Sequence, residues 1–416
     1  MTENTEKTTS YAWYALALLT LVYVLNFLDR VLILYLFTPI KKEFAFTDLQ
    51  LALLGTTSFA IFYTALGIPF GRIADKKSRK MLIGVGLLVW SLFSGLTGFA
   101  WDFWSLFACR LMVGVGEATL GPAAISLLSD YFPPQKRATV TSIYSMGIAI
   151  GAGSAAFLGG WLGQNYGWRM TFMLLGFPGV LLAILVFVLQ EKPRGAVEAQ
   201  SVTGTNWKKL ITNKAFILLC LGYALLGLAT NNLNIWGATF YTRLHKFDLA
   251  TIGFWGGILT LLAGIPATLY GGVIADKFRK KSRGGRMLYG SLLSLGSIPF
   301  WLLLIFTNNP YLILLANFLL LFFALAWLGA AAADTTEIAG VNLRGVAVAI
   351  YFFSVNIAAY IIGSNLIGYL NDRFGATDSP EMMRYALLVC PISCALSAIC
   401  LFTGSKVLNS EANLSA

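Results

Sequence analysis

The chain has 416 residues, 57% of them hydrophobic and 12% charged, and a mean hydropathy of +0.72. That composition excludes an ordinary soluble domain and points to an integral membrane protein. The net charge of +11 reads as membrane topology, not as a nucleic-acid surface, because most Lys and Arg fall in alternate loops between apolar stretches.

About 20 apolar residues cross a bilayer as a helix. Twelve candidate spans follow in chain order: 13–38, 49–71, 81–100, 103–128, 139–162, 168–190, 214–242, 251–275, 287–306, 311–333, 345–370 and 384–404. A β-barrel would alternate apolar and polar residues along each strand, whereas "ALLVCPISCALSAICLF" is continuous. The expected fold is therefore an all-α membrane protein, twelve transmembrane helices in two six-helix bundles. An even number of passes puts both termini on one side, and the distribution of Lys and Arg makes that side the cytoplasm. The first span is too long, and too poor in a small-residue cleavage site, for a removable leader.

Span 1 contains "VYVLNFLDRVLILYLF", with Asn26, Asp29 and Arg30 in its middle. Asn26, Asp29 and Arg30 are spaced i, i+3, i+4 and share a helix face, beside Tyr23. Span 4 carries Arg110 and Glu117, two turns apart. These four are the only Asp, Glu, Lys or Arg well inside a predicted span. An ionised group at the bilayer centre costs at least about 2.5 kcal/mol, so such residues face a protein interior and mark function. Neighbouring residues on a helix do not face each other, so Asp29 and Arg30 need partners elsewhere. Span 4 supplies them: Arg110 for Asp29, Glu117 for Arg30. A static ion-pair lattice fixing helix packing is the bland alternative. The functional reading is that Asp29 and Glu117 bind or gate a proton while Arg30 and Arg110 receive an anionic group.

The loop after span 2, "GIPFGRIADKKSRK", resembles "GIPATLYGGVIADKFRK" after span 8, matching Gly71, Asp75, Arg79 and Lys80 with Gly272, Asp276, Arg279 and Lys280. "RATVTSIY" from Arg137 likewise resembles "RGVAVAIY" from Arg344. Residues 1–190 and 214–416 are thus expected to be repeated halves, joined by a polar, basic cytoplasmic linker at 191–213 with one short interfacial helix near Trp207–Ile211. Duplicated halves moving about a central site form a recurrent transporter plan. Span 5 is rich in glycine (Gly147, Gly151, Gly153), which permits close helix contact. In the second half, Asn231, Asn234 and Trp236 on span 7, and Tyr351 and Asn356 on span 11, offer an uncharged cavity lining. The five Cys lie in spans without metal-ligand spacing, and the single His245 falls in a predicted external loop. No metal site is expected.

"GRIADKKSRK", "RLMVGVGEATLGP" and "GIAIGAGSAAFLGGWL" resemble the major facilitator superfamily over essentially the whole chain. "NFLDR", "GVGEA" and "WRMTFMLLGFPG" followed by "EKPRG" resemble its Spinster branch. The resemblance implies a proton-coupled carrier of lysolipids or sphingosine-1-phosphate-like lipids, with the charges of spans 1 and 4 as its coupling site. It further implies a cytoplasmic gate around Gly71, Asp75 and Arg79, with Asp130 and Arg137, and Asp276, Glu337 and Arg344, in related places. A proton-linked carrier of small organic anions, such as sugar or aromatic acids, would also need two arginines. An enzyme is not expected, because no Ser or Cys has a base in reach and no phosphate-binding loop appears. The remaining expectations are no cofactor beyond the proton gradient, a small-molecule or lipid substrate, the lipid bilayer as surroundings, no nucleic-acid partner, a monomer, and a bacterial inner membrane as location.

Overall fold

A computed structural model describes residues 10–132, 136–191, 208–340 and 343–415. The helices, in chain order, are α1 (Ser10–Tyr35), α2 (Phe37–Phe44), α3 (Asp48–Ala52), α4 (Ser58–Lys76), α5 (Arg79–Thr97), α6 (Phe103–Glu117), α7 (Leu120–Tyr131), α8 (Arg137–Asn165), α9 (Gly167–Gly176) and α10 (Pro178–Val188). They continue as α11 (Lys208–Thr212), α12 (Lys214–Leu244), α13 (Leu249–Lys281), α14 (Gly285–Phe306), α15 (Pro310–Ala326), α16 (Leu328–Ala339), α17 (Arg344–Asn356), α18 (Ser364–Arg373), α19 (Met383–Leu387) and α20 (Val389–Ser415). The described residues form no strand.

Eleven helical stretches among the described residues are long and apolar enough to cross a membrane. The remaining expected span, 103–128, is divided between α6, of 15 residues, and α7, of 12. The chain breaks its regular ladder at Ala118–Thr119, where the Thr119 hydroxyl turns back to the Gly116 carbonyl at 2.8 Å. Two further passes contain a π-helical turn, Leu53–Thr57 between α3 and α4 and Ile357–Gly363 between α17 and α18. Neither interruption has a sequence signal as plain as proline, which is why the sequence reads as unbroken spans there.

The chain divides into two compact units. The first comprises 1–46, 53–199 and 248–257, the second 47–52, 200–247 and 258–416. Each thus includes a short stretch that chain order alone would assign to the other half.

In the first unit α1 packs along α8. Gly151 makes this possible, since a Cβ there would lie 2.3 Å from the Val24 carbonyl oxygen. Gly153, grouped with it on sequence, faces open space, as does Gly71. Asp102 starts α6 with a capping box, accepting from the Ser105 amide at 2.8 Å. In the second unit α12 is the most enclosed span, with 72% of its apolar window buried, whereas α13 has 28%. A seam of small polar side chains joins α14 to α20, including the Ser294–Ser397 hydroxyl pair at 3.0 Å and Ser297 donating to the Cys394 sulfur at 3.2 Å.

Candidate functional site

The helical spacing of span 1 does what it predicts: α1 turns Asn26, Asp29 and Arg30 into the first unit, where α6 supplies Arg110 and Glu117. Asn26, Asp29, Arg110 and Glu117 are all buried. Arg30 meets Glu117 as expected, with Nη2 at 2.9 Å and Nε at 3.2 Å from Oε2. Its Nη2 also donates to Asn26 Oδ1 at 3.3 Å. Three rings enclose the same guanidinium, Phe27, Phe59 and Tyr63, with centroids 4.6–4.7 Å from its central carbon. A cation over aromatic faces is held by their quadrupoles without a further counter-ion. Tyr23 stands close by, stacked on Tyr144 with ring centroids 4.3 Å apart.

The second expected pair takes a different form. Arg110 Nη1 donates to the main-chain carbonyl of Asp29 at 3.3 Å, and the Asp29 carboxylate accepts from the Ser94 hydroxyl of α5 at 2.8 Å. The Arg110 Nε and Nη2 have no partner among the described residues, although the side chain is fully buried. An unsatisfied buried guanidinium is costly. The site therefore holds unused donor capacity beside an acid already engaged by a hydroxyl.

In the second unit the amides are mostly spent internally. Asn231 donates to the Gly227 carbonyl at 2.8 Å and accepts from the Tyr360 hydroxyl at 3.0 Å. Asn232 reaches the Leu228 carbonyl and, at 3.4 Å, the Ala359 carbonyl in the π-helical turn. Trp236 and Tyr351 do not line an open surface: both are buried, Trp236 donating to the Ser364 carbonyl at 3.2 Å and Tyr351 packing edge-on to Tyr223. Asn234 is exposed and Asn356 half-buried. Tyr360 was not foreseen, since nothing marks one tyrosine among the 17 in the chain.

Several of the expected gate residues form ion pairs among the described residues. Arg79, at the start of α5, is buried. Its Nη1 donates to Asp130 and to the Ser126 hydroxyl at 3.0 Å, and its Nε to Glu191 at 3.1 Å. Burial pushes the Glu191 carboxyl up, but hydrogen bonds from Ser78 and Arg79 outweigh it and hold the group below its ordinary value. Asp130 thus meets Arg79 across the unit. The side chains of Asp75, Arg137 and Arg344 lie outside the described residues.

In the second unit Glu337 binds Arg279 and, at 2.9 Å, Arg286, while Asp276 binds Arg286 at 2.8 Å. Asp334 stands behind them, buried. Arg286 and Asp334 were missed, yet a signal existed: "MLIG" at Met81 and "MLYG" at Met287 align the two helix starts. That alignment puts Arg286, at the start of α14, opposite Lys80, one residue after Arg79. Other missed pairs sit outside the spans or at their ends. Arg243 binds Asp48 at 2.6 Å in the second unit, and Arg169 binds Glu43 at 2.6 Å in the first. His245 is half-buried between Phe240 and Phe247, not a solvated loop residue, and burial lowers its basicity.

Comparison with known proteins agrees with this architecture. The sequence model of the Major Facilitator Superfamily matches residues 19–298 and 219–414. An MFS-type efflux pump of Mycolicibacterium smegmatis is 26% identical over 400 residues, covering 95% of this chain and 92% of that protein. Protein spinster homolog 1 of Xenopus tropicalis is 27% identical over 420 residues, covering 92% and 78%. Among solved structures, a bacterial homolog of the human lysosomal transporter Spinster, inward-facing and unoccupied, superimposes with a TM-score of 0.82 at 24% identity, covering 97% of both chains. The chain is a multi-pass membrane protein of the major facilitator superfamily and belongs to its Spinster branch of transporters.

Proposed function

We propose that this transporter works by alternating access, driven by the proton gradient, and moves an amphiphilic anionic lipid such as a lysophospholipid or a sphingosine-1-phosphate-like molecule. The observation that carries the reading is the buried bridge between Arg30 and Glu117, with Arg110 and Asp29 beside it. Two acids and two bases cancel. One proton on Glu117 removes its charge and its hold on Arg30, leaving a set of net charge +1. Arg30 and the unpaired donors of Arg110 then attract an anionic head, and release of the proton restores the bridge and expels the anion. Asp29, held by Ser94, is the second carboxyl in this exchange.

A lipid is favoured over a small organic anion because unit two spends Asn231, Asn232 and Trp236 on its own backbone and phenol groups. Three of the groups that the sequence offers as a polar lining or its neighbours are thus engaged within the unit. In this reading no cofactor takes part, the working unit is a monomer, and both termini lie on the cytoplasmic side of a bacterial inner membrane. Proteoliposomes with an imposed pH gradient test it, using labelled lysophospholipid, sphingosine-1-phosphate and a sugar acid. Gradient-dependent movement of a lipid is expected, and movement of the sugar acid alone would overturn the lipid assignment.

A further inference from the structure

The carboxylates of unit two are unevenly served. Arg286 spends Nε and Nη2 on Asp276, at 3.1 and 2.8 Å, and Nη1 on Glu337, at 2.9 Å. Glu337 also receives Arg279. Asp334, one turn before Glu337 on α16, gets only the same Nη1 at 3.5 Å, and its Oδ2 is buried with no partner among the described residues. The order of exposure is the reverse of the order of need. The Asp334 side chain is 2% exposed, Glu337 35% and Asp276 63%.

Three carboxylates thus share two guanidinium groups, and the least solvated of the three has the weakest partner. Among the described residues the other groups facing it bring no further positive charge. Tyr223 of α12 lies buried beside the cluster and donates to the Arg286 carbonyl at 3.4 Å, Tyr351 of α17 packs edge-on to Tyr223, and Tyr289 stands on α14. In unit one Asp130, the counterpart of Glu337, takes an Arg79 nitrogen directly, and the place matching Asp334 is held by Leu127. An unpaired buried carboxylate is far more costly than a protonated one, whose added O–H leaves the group neutral.

We propose that Asp334 is a proton-binding site of its own, separate from Asp29 and Glu117, filled when Asp276 and Glu337 occupy Arg286. The proton comes from water onto Oδ2, and no other bond is made or broken. When Glu337 or Asp276 withdraws into solvent, Arg286 turns its Nη1 fully onto Asp334 and the proton returns to water. Proton occupancy there and ion pairing at the ends of α13, α14 and α16 are therefore two faces of one equilibrium.

The inference does not rest on the substrate assignment or on the α1–α6 quartet. Infrared difference spectra of the purified protein in lipid nanodiscs, recorded as pH is lowered through the neutral and mildly acidic range, read the carboxylic-acid carbonyl stretch. Asp334→Asn is expected to lose one titrating band that the double variant Asp29→Asn, Glu117→Gln retains. A complete set of wild-type bands in Asp334→Asn would overturn the proposal. Glu337→Gln gives a reading that does not need Asp334→Asn to fold. It frees Arg286 for Asp334 and removes a like charge, so the midpoint of the same band should move to lower pH by about one unit, tenfold in proton affinity. A midpoint that stays in place would equally overturn it.

Discussion

In the proposed exchange, coupling turns on Glu117. It receives two nitrogens of Arg30, has no exposed side-chain surface and sits at the last turn of α6. Glu117→Gln keeps the volume but can neither lose nor gain charge. In proteoliposomes this variant should lose pH-gradient-driven accumulation at least tenfold while still exchanging substrate at equal pH on both sides. Asp29→Asn should weaken accumulation in the same direction, because Asp29 is the second buried carboxylate of the set. Retention of full gradient-driven transport by both variants would exclude the coupling role. At this scale a charge census was enough to single out all four residues, since the membrane makes each of them expensive. The same census is blind to neutral partners. Ser94, which holds Asp29, and the rings of Phe59 and Tyr63 carry no such mark in the sequence.

Helix geometry carried the pairing of α1 with α6 as far as Arg30 and Glu117, and failed at Arg110. Position along a helix fixes which face a side chain leaves from, but not whether its terminal nitrogens reach a carboxylate or a nearer carbonyl. The span boundaries had a similar limit. Asp334 falls just past residue 333, where apolar composition ends, and so escaped notice as a buried acid, although α16 continues to Ala339. Glu191 lies beyond α10, where polar composition marks the linker, yet it joins Ser78 and Arg79 to the end of that helix. Its carboxyl is held below the ordinary value, so the folded state favours the ionised form. The stabilisation is present above the unfolded carboxylate pKa and is lost as pH falls through the lower folded value. Glu191→Gln should therefore melt at a lower temperature than the parent at neutral pH, and the gap should close at acid pH. A gap independent of pH would show that Glu191 acts through shape alone.

The two units solve one problem twice: each opens a helix with an arginine that gathers carboxylates from elsewhere in the unit. Arg79 collects Asp130 and Glu191; Arg286 collects Asp276, Asp334 and Glu337. The repeat was visible in the loop motifs, but the insertion in the second copy paired Arg79 with Arg279, leaving Arg286 unremarked. Among the described residues the two clusters share no partner, so their energies should add. Arg79→Gln and Arg286→Gln are each expected to lower the melting temperature, and the double variant should show the sum of the two shifts. A clearly smaller or larger sum would reveal coupling between the clusters.

The π-helical turn at Ile357–Gly363 can be read as one residue too many for an α-helix. An α-helix advances about 100° per residue, so that extra residue sets the azimuth of everything from Ser364 to Arg373 relative to α17. Removing one residue anywhere within the turn would let the hydrogen-bond ladder close, yet it would swing the Ser364 carbonyl away from Trp236 and Gly368 away from Asp48. The pass should accordingly accept substitution at the exposed Ile362 but no single-residue deletion in this turn: what that position preserves is a count, not a composition.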